Sequence, residues 1–159
     1  MSDVTQLQQA QTAVRQWKAA GKTVVFTNGC FDLLHPGHID YLNRAAALGG
    51  ALIIGLNDDD SVRRLKGDAR PINPLQDRAV MLTALRAVDL VVAFAEDTPL
   101  HLISTLMPDI LVKGGDYQPD EIVGADVVRQ AGGQVIVMPF IDGFSSTGLL
   151  QRIQAINNS

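Results

Sequence analysis

TVVFTNGCFDLLHPGH, Thr23 to His38, decides how this chain is read. Its first part, Thr23 to Asn28, is a short run rich in β-branched and aromatic residues, the composition of a strand buried on both faces. Its last part holds a Pro-Gly step flanked by two of the chain's 3 histidines, His35 and His38. Proline is accommodated in a helix's first turn, where its missing N–H costs no hydrogen bond. The stretch therefore predicts a strand, a turn, and a helix beginning near Pro36. That helix runs to about Leu48, with Ile39, Leu42, Ala45 and Ala46 at helical spacing and Gly49-Gly50 closing it.

The same alternation repeats outward. Val4 to Ala20 has one apolar stripe and is stopped by Gly21, which predicts an N-terminal helix over residues 1–21 ahead of a domain over 22–159. ALIIGL (Ala51 to Leu56) is a second strand. Residues 57 to 74 lack a strong period and hold Gly67, Pro71 and Pro74, so they predict a loop with at most a short helical turn. A helix over Leu75 to Leu85 leads to a third strand, Leu90 to Phe94. Thr98-Pro99 has the form of an N-cap with proline following, opening a helix to Leu106. ILVKGG (Ile110 to Gly115) is a fourth strand, Asp120 to Gln130 a helix, and QVIVMP a fifth strand. A last helix, Ser145 to Ile156, puts Leu149, Leu150, Ile153 and Ile156 on one face. Short apolar strands alternating with helices predict a Rossmann-like, doubly wound α/β fold, with five parallel strands covered on both faces. In such sheets ligands sit beyond the C-terminal strand ends, near the point where strand order reverses. Asn28 to His38, Asn57 to Asp60, Lys113 to Asp116 and Gly143 to Thr147 all follow strand ends.

Composition bounds the function. At 159 residues, 47% hydrophobic and 19% charged, the chain has the make-up of one compact domain. No apolar run reaches the roughly 20 residues needed to cross a bilayer, and the acidic, glutamine-rich start differs from a signal peptide. The single cysteine, Cys30, excludes an intrachain disulfide framework. Together these point to the cytoplasm and to no membrane partner. The formal net charge of -4 argues against bulk nucleic-acid binding. Arg63, Arg64, Lys66, Arg70 and Arg78 nevertheless fall in one segment directly after Asp58-Asp59-Asp60, either an anion site or a solvated loop of mixed charge.

Three known fingerprints can be compared with the turn after strand one. Gly29 and Gly37 are too far apart for a dinucleotide G-x-G-x-x-G, and no Walker A run is present. His35 and His38, with Asp32 as a third ligand, make a zinc site conceivable. The remaining reading is a phosphate site. Gly37 lets a ligand approach the backbone, the helix N-terminus offers free N–H groups and a favourable field, and both histidines project toward the anion. As donors, neutral or protonated, they stabilise charge on phosphoryl oxygens. For His38 alone, a capped or packed imidazole is the competing reading.

TNGCFDLLHPGHIDYL, NDDDSVRRLKGDARPINPLQDR, LVKGGDY and DGFSST occur in this order. Together they resemble the H-x-G-H nucleotidyltransferase superfamily, in its cytidylyltransferase-like group. Over residues 22 to 157 the chain is most similar to the branch that transfers AMP from ATP to D-glycero-β-D-manno-heptose 1-phosphate. In bifunctional members that domain is fused to a sugar kinase, and this chain resembles the stand-alone form. The resemblance implies His35 and His38 on the α- and β-phosphates, with Lys66 as the cation of a mobile loop. It places Thr27, Asn28, Gly29, Cys30, Phe31, Gly37, Lys113, Ser145, Ser146 and Thr147 at the nucleotide. Asp32, Arg70, Arg78 and Asp116 are candidates for the acceptor; Asp32 also lies near enough to orient a histidine, and Arg78 has the alternative of an ion-paired helix residue. Cys30 is expected to pack. Magnesium accompanies ATP, held by phosphate oxygens and water and not by a preformed protein cage. Relatives are often homodimers, so Trp17 has either the core or a partner to pack against. The stretch IDGFSST lacks the arginine of the glycerol 3-phosphate cytidylyltransferases, the alternative within the superfamily.

Overall fold

The computed structural model describes residues 4–159. Strand β1 (Val24–Gly29) lies at the centre of a five-stranded, wholly parallel sheet of order β3-β2-β1-β4-β5, where β2 is Ala51–Asn57, β3 Leu90–Phe94, β4 Ile110–Gly114 and β5 Gln134–Met138. The order reverses between β1 and β4, which opens the crevice there. Side chains of β1 alternate between faces. Val24 and Phe26 enter one core with helices α1 (Leu7–Ala19), α5 (Leu100–Leu106) and α6 (Ala125–Gln130). Val25 enters the other, with α2 (Pro36–Ala46) and α4 (Leu75–Thr83). The predicted doubly wound sheet is thus present, with the predicted strand count. Gly55 of β2 is dictated by packing, since a Cβ there would stand 2.7 Å from the Phe26 ring.

Helix α1 belongs to this core. Ala10 and Val14 are buried and Trp17 packs against the same cluster, the first of its two expected settings. Lys18 donates to the Met107 carbonyl and pairs with Asp109 at 3.2 Å, and Asp109 accepts from the Val24 N–H at 2.8 Å. These contacts fasten the end of α1 to the starts of β1 and β4.

Three local expectations are corrected. Residues 59–66, expected to be loop with at most a short helical turn, form a full helix, α3 (Asp59–Lys66). Asp58 caps it by accepting from the Ser61 N–H at 2.8 Å. Asp59 and Asp60 fill its first turn and Arg63, Arg64 and Lys66 its last, so the charge order matches the helix dipole. Thr98 does not cap α5; Pro99 takes the cap position without a side-chain bond. The helix expected over Asp120 to Gln130 is divided into a 3-10 turn, Pro119–Glu121, and α6, because Gly124 turns at φ 86°. In α7 (Ser146–Asn157) the apolar stripe is only half covered: Leu149 and Leu150 are partly buried, while Ile153 and Ile156 are exposed. No helix among the described residues is long and apolar enough to cross a membrane.

Candidate active site

The crevice over the C-terminal ends of β1 and β4 is a cleft of about 530 Å³. Asn28, Gly29, Cys30 and Phe31 form its floor. Phe31 adopts the left-handed region, φ 44°, unusual for an aromatic residue. This conformation lays its ring back over Gly29, where a Cβ would approach the ring to 2.9 Å. The ring also meets His38 edge-on, with centroids 5.3 Å apart. Thr27 does not line the cleft; it is buried below it, with its hydroxyl 2.6 Å from that of Tyr41. Burial raises the thiol pKa of Cys30, which outweighs the lowering by nearby Lys66, Arg78 and Arg70, so the thiol stays protonated.

The two histidines are stacked, with ring centroids 3.8 Å apart and planes at 20°. His35 is the N-cap of α2, its Nδ1 accepting from the His38 N–H at 3.3 Å. An accepting Nδ1 puts the neutral ring's proton on Nε2, which makes Nε2–H a donor. His38 stands in the cleft wall, whereas His35 lies behind it, facing a second groove with Pro36, Ile39 and Ile141. The expectation that both project into one cleft therefore holds for His38, while the capping bond turns His35 into the adjoining groove. Burial lowers the pKa of His35, and burial, with His35 and Lys66 nearby, lowers that of His38 to about 4. Both rings are neutral at pH 7. His38 Nδ1 is buried with no hydrogen-bond partner among the described residues. Gly37 is compressed from inside, since a Cβ would lie 2.9 Å from the His35 ring and 3.0 Å from the Phe144 Cβ. The zinc arrangement is not formed, because Asp32 is engaged elsewhere and the stacked rings supply no third ligand.

The Asp32 carboxylate accepts from the backbone N–H groups of Ile72 and Asn73, each at 2.8 Å, and from Arg70 Nε at 2.6 Å. Burial alone would raise its pKa, but the Asn73, Ile72 and Arg70 bonds hold it below the usual carboxylate value. Arg78 is fully buried and donates to the carbonyls of Asn73, Cys30 and Asn57 and to the Asp59 carboxylate. Of its two readings the geometry favours the ion-paired one. Asp32 and Arg78 together fasten residues 70–73 to the ends of β1 and β2. Lys66, Arg70 and Lys113 bring positive charge to the cleft, and burial lowers the pKa of Lys113. Arg63 pairs with Asp60 and Arg64 with Asp97, and neither lines the cleft. Ser146 lines the cleft and donates to the Leu33 carbonyl at 3.3 Å, while Ser145 caps α7 by accepting from the Gly148 N–H at 2.9 Å. Thr147 and Asp116 lie outside the cleft lining.

Several lining residues escaped the sequence reading. Tyr41, Asp97 to Pro99, Tyr117 and Phe140 line the cleft, as do Leu65 and Glu121 to Val123; Asn57, already expected at a strand end, lines it too. Asn57 ends β2, and the segments after β3, β4 and β5 obey the strand-end rule, which could have identified Asp97, Tyr117 and Phe140. Glu121 to Val123 had no such signal, because they reach the cleft only through the turn at Gly124. The family model described as cytidylyltransferase-like matches residues 26–152. Bifunctional protein HldE of Gluconacetobacter diazotrophicus is 58% identical over 147 residues, covering 92% of this chain and 30% of that protein. HldE of Magnetococcus marinus is 56% identical over 146 residues, with the same two coverages of 92% and 30%. The chain thus spans about 30% of the length of these curated relatives. Among solved structures, a lipopolysaccharide core biosynthesis protein from Thermoplasma volcanium superposes with a TM-score of 0.61 at 27% identity, covering 78% of this chain and 100% of that one.

Proposed function

The chain belongs to the cytidylyltransferase-like family, and from that premise we propose that it transfers AMP from ATP to D-glycero-β-D-manno-heptose 1-phosphate, releasing pyrophosphate. The observation that carries this reading is convergence. His38, Lys66 and Lys113 come from segments that follow or end three different strands, and meet in one cleft at the reversal of strand order. The sequence blocks shared with the heptose branch support the choice of substrates, as do the HldE relatives. The Thermoplasma protein is named for lipopolysaccharide core biosynthesis, which fits a sugar nucleotide as product.

In this mechanism a phosphate oxygen of the acceptor attacks the α-phosphorus of ATP. The bond from that phosphorus to the bridging oxygen breaks, and pyrophosphate leaves with the electron pair. The acceptor is already anionic, so no protein nucleophile is required, and the protonated Cys30 thiol offers none. The work of the chain is positioning and stabilising growing negative charge. His38 does this as a neutral N–H donor, and Lys66 and Lys113 as cations. His35 backs His38 through the stack and the cap. Ser146 extends the phosphate cradle from the start of α7.

Magnesium is the cofactor we assign with ATP, and its contribution when bound is to neutralise charge on the phosphates. Among the described residues no three His, Cys, Asp or Glu side chains are grouped to hold a metal ion. Phosphate oxygens and water would therefore hold it; of the cleft carboxylates Asp32 is held by residues 70–73 and Asp97 by Arg64, which leaves Glu121. An enzyme using ATP and a sugar phosphate in this way belongs in the cytoplasm. The test is pyrophosphate release with magnesium, using ATP or CTP against heptose 1-phosphate or glycerol 3-phosphate. Release with only ATP and the heptose phosphate is expected. Release with CTP and glycerol 3-phosphate would overturn both the base and the acceptor.

A further inference from the structure

The segment that follows β5 lies along one face of α2 in a regular register. The Pro139 carbonyl accepts from Arg44 at 2.7 Å. The Phe140 ring packs on Tyr41, with centroids 5.2 Å apart. Phe144 lies against the first turn, its ring 6.3 Å from that of His35 at an interplanar angle of 16° and its Cβ against Gly37. Positions 37, 41 and 44 are one face of a helix, so residues 139–144 form a strap running from the last turn of α2 back to its N-terminus. The chain then turns directly into α7, where Ser145 is the cap and Ser146 donates to Leu33.

We propose that Phe144 is a positioning residue: its ring clasps the outer face of His35, and this contact sets the start of α7 against the histidine pair. The inference rests on the phosphate site proposed above and deepens it. The His38 ring stacks on His35 at 3.8 Å, the Phe144 ring lies nearly parallel to it at 6.3 Å, and Nδ1 accepts from the His38 N–H, which leaves Nε2 as the remaining polar atom of the ring. Gly37 is required at the same point, because a Cβ there would stand 2.9 Å from the His35 ring and 3.0 Å from the Phe144 Cβ. Phe144 itself is 41% exposed, so its role is not that of a core side chain. Removing this exposed ring would free the strap at the place where it meets the histidines.

The test compares Phe144→Ala and Phe144→Tyr with the parent in the full chain, by NMR titration of the imidazoles and by steady-state kinetics with magnesium, ATP and heptose 1-phosphate. The groups facing His35 are His38 in the stack and Asp40 in the groove, Asp40 being engaged by Arg44; Lys66 acts on His38. Phe144→Ala should uncover His35 and move its titration upward toward the ordinary imidazole value. It should lower kcat about tenfold to a hundredfold, with a much smaller change in KM for the sugar phosphate. Phe144→Tyr keeps the ring and should restore both. An unmoved His35 titration in Phe144→Ala overturns the clasp, and so does a moved titration with unchanged kcat. A parent protein inactive with these substrates overturns the substrate reading instead, and the titration, which needs no substrate, then judges the clasp.

Discussion

His38 stands in the cleft with a neutral ring, and this determines how it can act. Burial, His35 and Lys66 all disfavour its protonated form, and its pKa falls to about 4. A neutral imidazole that donates an N–H needs no proton from solvent, so His38 itself should add no titration to the activity in the ordinary histidine range, and the pH profile there should be that of the acceptor phosphate. His38→Ala should lower turnover about a hundredfold to a thousandfold with the fold retained, which a paired kinetic and circular dichroism comparison checks. The same shift has a stability consequence. The unfolded chain binds this proton near the ordinary imidazole value of 6.5 and the folded chain only near 4. Stability from this site is therefore complete above about pH 6.5 and declines as pH falls from there toward about 4. Urea midpoints across that window should fall, and in His38→Asn the fall should shrink. Arg78 is the other decisive residue. Arg78→Met leaves Asp59 and three carbonyls without their partner, at a cost of about 3–5 kcal/mol. Arg78→Lys should not restore the stability, because an ammonium cannot reproduce the guanidinium's fan of donors. Equal denaturation midpoints for parent and Arg78→Met would contradict this assignment.

At the scale of elements, helix ends organise the site. Helix α2 begins at a histidine cap and α7 at a serine cap. Ser145→Ala should cost about 0.5–2 kcal/mol through loss of the cap, and it should weaken ATP binding measured by calorimetry more than heptose 1-phosphate binding. Unchanged ATP affinity would separate the α7 start from the phosphate site. The strands were legible because apolar runs of β-branched residues between glycines have few alternatives. Helix α2 was legible from Pro36 and its apolar spacing. Helix α3 was not, because Val62 and Leu65 alone carry no period; its signal lay in charge order, acids before bases, which is also the pattern of a mixed-charge loop. The stacking of His35 on His38 was equally hidden. A histidine that caps its own helix and one that points at a ligand have the same letters at the same spacing. Asp32 is held by residues 70–73, and Arg78 takes the ion-paired one of its two readings; sequence cannot say which polar neighbour a buried charge will find.

For the whole molecule, strand order decides where chemistry can occur. Parallel strands ordered β3-β2-β1-β4-β5 open one crevice, and the turn after β1, the end of α3 and the end of β4 all empty into it. The N-terminal helix supports this sheet from behind. Leu106 of α5 is 2% exposed in the core that α1 completes, so Leu106→Ala should cost about 2–5 kcal/mol, read as a lower denaturation midpoint with catalytic constants preserved in the folded fraction. The cleft, its neutral histidine donor and its cations fit the proposed nucleotidyl transfer to a sugar phosphate. The most direct measurement is pyrophosphate release from ATP, with magnesium and D-glycero-β-D-manno-heptose 1-phosphate, by the parent chain and by His38→Ala. Release by the parent, greatly reduced in the folded variant, is the predicted result. Equal release by both proteins, or none from the parent, would contradict it.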